Sequence, residues 1–503
     1  MSAPQRHRYA VVIPTTGRES LLALLHALET AAGPPPEEVV VVDDRPRPEL
    51  PLALPPTGLD RRVLTSGGRG PAAARNAGWR GTEADWVVFL DDDVLPGPWW
   101  REQLAQDLDD VAPDVAACQG RIVVPLPAHR RPTDAERGTA GLAGAWWITA
   151  DMAYRRDVLT ATGGFDEDFP RAFREDADLA LRVQALGHRL VNGGRTTEHP
   201  APVGSLLTSV RAQRGNADNA VMRRKHGPGW RRLSGEGPGR TRLHLLTTAA
   251  AGLAPLALSR RPALRRAGRL GAAVWLASTL DFAVRRVLPG PRTPAELGRM
   301  AVSSALIPPA ACWHRLRGEV AVRRRGRMPA AVLFDRDDTL IHDVPYNGDP
   351  DLVRPVPGVR AALDRLRAKG VPLGVVSNQS GIARGLLTGD QVEAVNAELR
   401  RLLGPFGTVQ VCAHGEDDGC GCRKPAPGLV RRAAEALAVE PGGCVVVGDT
   451  GGDVGAALAA GARAFLVPTR RTRCAEIEHA ALSAQVARTV SEAVDRLLRG
   501  GVR

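Results

Sequence analysis

Four short, nearly all-apolar runs in this chain stop abruptly at aspartate: "EVVVVDD", "WVVFLDDD", "AAVLFDRDD" and "GGCVVVGD". Runs of that length without polar alternation read as strands buried on both faces, as in a parallel sheet covered by helices. Function in such sheets gathers at the strand ends, so carboxylates there are placed for chemistry. The stretches between agree. "ESLLALLHALETA" reads as a helix between "YAVVIP" and "EVVVVDD", which gives β-α-β order from Tyr9 to about His199. The alternation resumes from Ala330 with "VPLGVVSNQ", "GTVQVCAH" and "ARAFLVP". A chain of 503 residues exceeds one ordinary core, so two or three domains are expected. The boundaries read as an α/β domain over 1–203, a connector over 204–328 and a second α/β domain over 329–503.

The formal charge of +12 is unevenly spread. Residues 211–327 carry a net of about +19, which leaves the flanking domains near neutral or acidic and removes the case for a nucleic-acid-binding protein. Apolar helical runs in this tract ("LHLLTTAAAGLAPLAL", "LGAAVWLASTLDFAV", "MAVSSALIPPAACWH") alternate with arginine pairs. Each is shorter than the ~20 clean apolar residues of a membrane span, or carries a charge such as Asp281. Two readings stand: a helical hairpin packed on the first domain, or helices lying on an anionic membrane surface. "RRRGRMP" then reads as a linker. Seven scattered or clustered cysteines are no disulfide scaffold. The start, "MSAPQRHRYAVVIP", runs into a strand without an apolar leader, so a cytoplasmic location is the expectation, with peripheral attachment at the inner membrane face if the helices meet lipid.

In the C-terminal domain, "DRDDTL" places Asp335 and Asp337 just past a buried strand. Two carboxylates one residue apart can converge on one magnesium, one attacking phosphorus while the other handles protons. The next strand ends at Ser377, a hydroxyl for a phosphoryl oxygen, followed by Asn378. "RKP" supplies Lys424, a cation against charge growing on the transferred group. "VVVGDTGGD" adds Asp449 and Asp453. Attack by a carboxylate makes an aspartyl-phosphate and splits hydrolysis into two easier steps. These four pieces, in this order, resemble the haloacid dehalogenase superfamily across nearly all of residues 330–500. The resemblance implies a HAD-like Rossmannoid fold with Asp335 as nucleophile and Asp337 as general acid/base. It further implies Ser377 and Lys424 on the phosphoryl group, and magnesium on Asp335, Asp337 and Asp449 with Asp453 in support.

Two strings narrow the subfamily. "SNQSGIARG" resembles the corresponding loop of heptose-bisphosphate and histidinol-phosphate phosphatases. "CAHGEDDGCGCRKP" brings Cys412, His414, Cys420 and Cys422 together, three thiolates and an imidazole that make a closed structural zinc set. In the resembled family the zinc loop shapes the pocket, Arg423 recognises the sugar phosphate, and Asp343 and Tyr346 line it. The family commonly has glycine where this chain has Asp338, which puts the pH behaviour of Asp337 in question.

In the N-terminal domain, Asp43 and Asp44 end one strand, where they can hold a nucleotide's base and ribose hydroxyls. Asp91, Asp92 and Asp93 come after another, where carboxylates can hold a divalent cation that bridges a diphosphate. "VVIPTTGR", "VVVVDD", "GRGPAAARNAGW" and "WVVFLDDD" in this order resemble the inverting GT-A glycosyltransferases of family 2. That resemblance implies a Rossmann-like fold, manganese or magnesium on Asp91 and Asp93, and a nucleotide placed by Asp43, Asp44, Arg75 and Asn76. It also implies a carbohydrate acceptor deprotonated by Asp176, preceded by Glu175, with His199 as a further metal contact. A sugar nucleotidyltransferase is the rival, but such enzymes carry a Gly-rich, Arg-containing phosphate loop after the first strand, whereas "YAVVIP" leads here into Thr15, Thr16 and a single Gly17. A degenerate module kept as a membrane-docking scaffold is the third reading. The chain is thus expected to join a nucleotide-sugar-dependent transferase to a phosphatase acting on a heptose 1,7-bisphosphate-like sugar phosphate or, alternatively, histidinol phosphate.

Overall fold

The computed structural model describes residues 7–109, 111–202, 204–324 and 328–499. Contacts divide the chain into two compact units: Met1–Val158 with Phe165–Val322, and Arg323–Arg503 with Leu159–Gly164. Both are α/β.

The first unit is built on an eight-stranded sheet of β1 (Tyr9–Thr15), β2 (Glu38–Asp43), β3 (Arg61–Thr65), β4 (Trp86–Leu90), β5 (Leu95–Pro96), β6 (Val115–Val123), β7 (Asp151–Arg155) and β8 (Arg189–Glu198). Its order is β3-β2-β1-β4-β7-β6-β8-β5. The first four strands in that order are parallel, and β7 runs antiparallel to β4. β1 is buried along its whole length, and Thr15 stands opposite Asp43. The acidic tripeptide after β4 therefore emerges beside the end of β1. The helix Pro71–Arg80 lies very close to this sheet: a Cβ on Gly78 would sit 2.3 Å from Val12 Cγ1. Only glycine allows that approach.

Helices continue the first unit beyond the sheet, with Thr241–Leu253, Pro262–Val287 and Pro294–Arg324 the longest. The last passes through Pro308 and Pro309. Among the described residues no helix is long and apolar enough to cross a membrane. Residues 325–327 of the expected linker lie outside the described residues.

The second unit holds a six-stranded parallel sheet, ordered β11-β10-β9-β12-β13-β14. Its strands are β9 (Ala331–Phe334), β10 (Leu373–Asn378), β11 (Thr408–Cys412), β12 (Cys444–Gly448), β13 (Arg463–Leu466) and β14 (Gln485–Val486). Alternate residues of β9 enter different cores: Val332 and Phe334 one, Ala331 and Leu333 the other. Both faces are covered, which is why this strand is apolar without alternation. Phe334 pairs with Val375 on one side and Val447 on the other, so Asp335, Ser377 and Asp449 emerge at the same edge.

Candidate active sites

At that edge of the second sheet, Asp335, Asp449 and Asp453 present carboxylate oxygens within 4.8 Å of one another, all buried. Lys424 Nζ sits among them, donating to Asp335 Oδ1 and Asp453 Oδ1 at 2.5 Å each and to the Val376 carbonyl at 2.9 Å. Asp453 is fixed by its place in the sequence. It is the third residue of the helix Gly451–Ala459, where its Oδ2 accepts from the Thr450 backbone N–H and hydroxyl in a capping box. Its other oxygen is thereby free to face Lys424. Burial, with Asp453, Asp337 and Asp449 nearby, pushes the Asp335 carboxyl well up, against the pull of Lys424. Asp449 is pushed to about 7, chiefly by burial and then by Asp453. Three buried carboxylates against one ammonium is an excess of negative charge that a hard divalent cation fits.

The remaining residues divide. Ser377 is buried beside the cluster, and Gln379 Nε2 donates to both its Oγ (2.9 Å) and Asp337 Oδ2 (2.8 Å). Asp337 is turned towards Gln379 and Arg336, so its carboxylate stands outside the acidic trio. Asp337, Asp343, Tyr346 and Asn378 line a cavity of about 280 Å³. Asn378 also grips the Lys424 backbone, its Oδ1 accepting at 3.1 Å and its Nδ2 donating at 3.2 Å. Arg423 does not line this cavity; it is spent on Glu416 (3.0 Å). Asp338, at φ +54°, accepts the Asp343 N–H and faces Arg471, which also grips Asp343. Gln379 and Arg471 were not read from the sequence.

Beside Lys424, Sγ of Cys412 lies 3.3 Å from that of Cys422 and 3.7 Å from that of Cys420, and the Cys420–Cys422 distance is 3.6 Å. His414 Nδ1 is 3.5 Å from Cys412 Sγ and 3.3 Å from Cys422 Sγ. A tetrahedron with Zn–S bonds of about 2.3 Å has edges of roughly 3.7 Å, shorter where nitrogen replaces sulfur. The quartet fits a zinc ion in shape and in donor chemistry.

In the first unit a cavity of about 430 Å³ is lined by Thr15, Arg18, Asp44, Arg75, the three aspartates after β4, Glu175, Asp176 and His199, among others. Asp91, Asp93 and His199 bring ligand atoms within 4.8 Å. Two carboxylates and an imidazole fit a divalent cation. Asp92 lies outside that trio, accepting from Thr15 Oγ1 at 2.7 Å, and burial raises its pKa. Arg18 lies on Asp93 (2.6 Å) and Asp92 (3.3 Å), and sequence reasoning missed it. Arg75 is 1% exposed and bridges the two halves of the site, donating to Asp91 Oδ1 at 2.6 Å and Glu175 Oε1 at 2.9 Å. Glu175 and Asp176 open the helix Glu175–Ala185 just after Arg174, which holds a left-handed φ of +83°. Stacking on Phe173 and Trp230 and a pairing with Glu236 hold that conformation. Burial raises both acids, Glu175 to about 8 with Asp176 contributing.

Asp44 lines this cavity, whereas Asp43 and Asn76 do not. Asp43 is forked by Arg45. Asn76 is buried with its amide spent: it donates to the Phe165 carbonyl and Glu167 and accepts from Phe165 N–H and Trp79 Nε1. In this structure Asn76 is a brace for the 165–167 segment.

These two sites are matched by two families. Residues 346–461 match the haloacid dehalogenase-like hydrolases and residues 10–180 the glycosyl transferase family 2. The chain belongs to the haloacid dehalogenase-like hydrolases through its C-terminal domain and carries a domain matching glycosyl transferase family 2 at its N-terminus, a pairing consistent with a bifunctional carbohydrate enzyme. Among its relatives, the D-glycero-β-D-manno-heptose-1,7-bisphosphate 7-phosphatase of Pseudomonas putida is 41% identical over 143 residues, 27% of this chain and 82% of that protein. The Pseudomonas aeruginosa enzyme of the same name is 40% identical, over 27% of this chain and 80% of the relative. Of solved structures, the D,D-heptose 1,7-bisphosphate phosphatase from B. bronchiseptica, complexed with magnesium and phosphate, is 30% identical, covering 34% of this chain and 98% of that one at a TM-score of 0.31. S. aureus TarS in complex with UDP is 16% identical, covering 56% and 91% at 0.29.

Proposed function

We propose that the phosphatase acts on a sugar bisphosphate of the heptose 1,7-bisphosphate class and that the transferase moves a sugar from a nucleotide-sugar with inversion. The working division is a transferase over 1–203, a connector over 204–328 and a phosphatase over 329–503. The observation that carries the phosphatase reading is Lys424 Nζ held 2.5 Å from both Asp335 and Asp453 in a buried acidic cluster. An Asp335 carboxylate oxygen bonds to phosphorus as the phosphorus–oxygen bond to the sugar breaks. Asp337 gives its proton to the leaving sugar oxygen. It then takes a proton from the water that cleaves the aspartyl-phosphate, releasing phosphate and restoring Asp335. Lys424 neutralises charge on the phosphoryl oxygens and Ser377, held by Gln379, orients them. Magnesium, when held by Asp335 and Asp449 with Asp337 or Asp453 completing the set, supplies electrostatic stabilisation of the transferring group. The zinc quartet fixes the loop that carries Lys424.

In the transferase, Asp44 and Arg75 border the nucleotide end, and Asp91, Asp93 and His199 would hold manganese or magnesium. Asp176 takes the proton of the acceptor hydroxyl as that oxygen bonds to the anomeric carbon and the nucleotide diphosphate departs. The connector meets an anionic membrane peripherally, with the enzyme on the cytoplasmic side. Phosphate release from a panel of sugar bisphosphates and histidinol phosphate tests the first activity: Asp335→Asn should abolish release, and undiminished release would refute the assignment. Asp176→Asn should abolish transfer while leaving nucleotide-sugar binding intact.

A further inference from the structure

The three long helices of residues 241–324 wear their apolar residues on the outside. On Pro294–Arg324 the positions Val302, Leu306, Pro309, Trp313, Leu316 and Val320 recur at alternating spacings of four and three, and all are exposed, Trp313 at 63%. That is one continuous helical face. On Pro262–Val287 the residues Leu270, Leu276 and Leu280 are 67%, 61% and 60% exposed, with Val284 along the same side. Thr241–Leu253 exposes Leu245, Leu246 and Leu253, and Leu258 beyond it is 90% exposed.

The inner faces bury Met300, Ile307 and Val322 together with polar and small residues. Arg286 donates to Asp134 Oδ2 at 2.6 Å and to Ser303 and Ser304 at 2.8 and 3.0 Å, and buried Glu296 accepts the Asp134 N–H. Gly268 and Gly271 let the backbones meet: a Cβ on Gly268 would fall 1.9 Å from the Ala257 nitrogen. A water-facing helix group would cover its outer faces with polar and charged residues. An exposed apolar surface of this extent marks a docking surface.

Its surroundings select the occupant. Arg260, Arg261, Arg265, Arg266 and Arg269 are all exposed at the turn between the first two helices and the start of the second, with no acidic residue among them. Exposed leucines beside a block of unopposed arginines match the interface of an anionic bilayer, where apolar side chains enter the acyl boundary and guanidinium groups meet phosphates. A second copy of this chain would bring arginines against arginines. Because none of the described helices can span a bilayer, the contact is one of lying on the surface.

We infer that the outward faces of helices 241–253, 262–287 and 294–324 form a monotopic docking surface that inserts leucine, valine and Trp313 side chains into the interfacial layer of an anionic membrane. This rests on the peripheral reading of the connector above and gives it a face and a mode. The surface is also tied to the transferase cavity. Asp134, clamped by Arg286, begins the helix Asp134–Ala140, and Leu142 just after it lines the cavity. Docking therefore holds one rim of the active site behind the docked helix layer, about one helix diameter from the interface.

Flotation of the full chain with phosphatidylcholine vesicles, with and without phosphatidylglycerol, tests this. The chain should float with the anionic vesicles only. Leu276→Asp with Leu280→Asp, and separately Arg265→Glu with Arg266→Glu, should each weaken flotation by at least about tenfold. Far-ultraviolet circular dichroism and thermal unfolding of the same preparations should match wild type, which shows that the variants are folded in both units and keeps this test separate from that of the activities. Wild-type chain that floats with neither vesicle, or leucine variants that float as well as wild type, would overturn the proposal. So would a dimer in light scattering that the leucine variants dissociate, because the face would then be occupied by a second copy.

Discussion

Replacing Lys424 by methionine keeps the length of the side chain and removes its charge. In the folded chain this cation makes charge-assisted hydrogen bonds at 2.5 Å to Asp335 and to Asp453. Each such bond is worth about 1.5–3 kcal/mol, and deleting one partner of a buried ionic group costs about 3–5 kcal/mol because the survivors stay buried. The expected loss at neutral pH without divalent cations is therefore about 3–5 kcal/mol, read as faster hydrogen exchange of the β9 and β12 amides. The penalty should depend on pH. Burial and the mutual repulsion of the carboxylates already hold Asp335 well up and Asp449 at about 7, and without Lys424 both rise further. A carboxyl raised in the folded state binds protons that the unfolded chain has released. Stability of the variant should thus fall as pH rises from about 4 through neutrality. Wild type should be flatter there, since Lys424 itself is raised above its ordinary value and keeps its charge. Magnesium should restore part of the loss by binding only the folded form. Phosphate release should drop by about a hundred- to a thousandfold, the usual consequence of deleting one group that stabilises transition-state charge. Exchange protection equal to wild type without divalent cations, together with release within about twofold, would refute the placement of Lys424 at the centre of the site.

Chain purified without chelator should carry about one zinc ion, measured by atomic emission, and Cys422→Ser or His414→Ala should lose most of it, since each removes one of four ligands. Glu175, raised to about 8 mainly by burial, lies above its unfolded value. Stability of the first unit should accordingly decline from about pH 4.5 towards pH 8, and Glu175→Gln should flatten that decline in a pH series of denaturant unfolding. Asp338→Gly should relieve a left-handed backbone and raise stability by up to about 1 kcal/mol, offset by the lost acceptor for the Asp343 N–H. Phosphate release should persist, and a loss beyond about tenfold would show that the Asp338 carboxylate takes part in the reaction.

How much of each site was legible in the sequence depends on how far each residue's partners lie along the chain. Asp335 and Asp449 sit at fixed offsets past apolar strands, so their place at the edge of a parallel sheet is set by the strands alone. Asp453 adds a helix-capping offset of three from Thr450, which is equally local. The cysteine quartet spans only eleven residues, and its spacing carries the chemistry with it. Arg423 shows the limit: adjacent to Lys424 and charged, it is nonetheless consumed by Glu416 on its own loop. Asn76 and Asp43 are likewise engaged within the fold, since a polar residue near a strand end can serve the fold as well as a ligand. Arg18 and Gln379 were missed because their partners, Asp93 and Asp337, lie 75 and 42 positions away.

Arg174 shows why such gaps gather at the active sites. Its left-handed backbone is unfavourable in isolation and is held by Trp230, 56 positions on, and by Glu236, 62 positions on. Of the groups that hold it only Phe173 is adjacent in sequence, yet this conformation sets the direction in which Glu175 and Asp176 enter the cavity. The connector behaves likewise. Helices with apolar residues on every side have no inner face until their neighbours are known, and here that face holds Met300, Ile307 and Val322 beside Ser303, Ser304, two close-packed glycines and the Arg286–Asp134 pair. With that interior filled, Leu270, Leu276, Leu280, Leu306 and Leu316 are left on the outward faces. The membrane-facing reading, one of two left open by the sequence, rests on the apolar faces the helices leave exposed, and the arginines by themselves could not have supplied it.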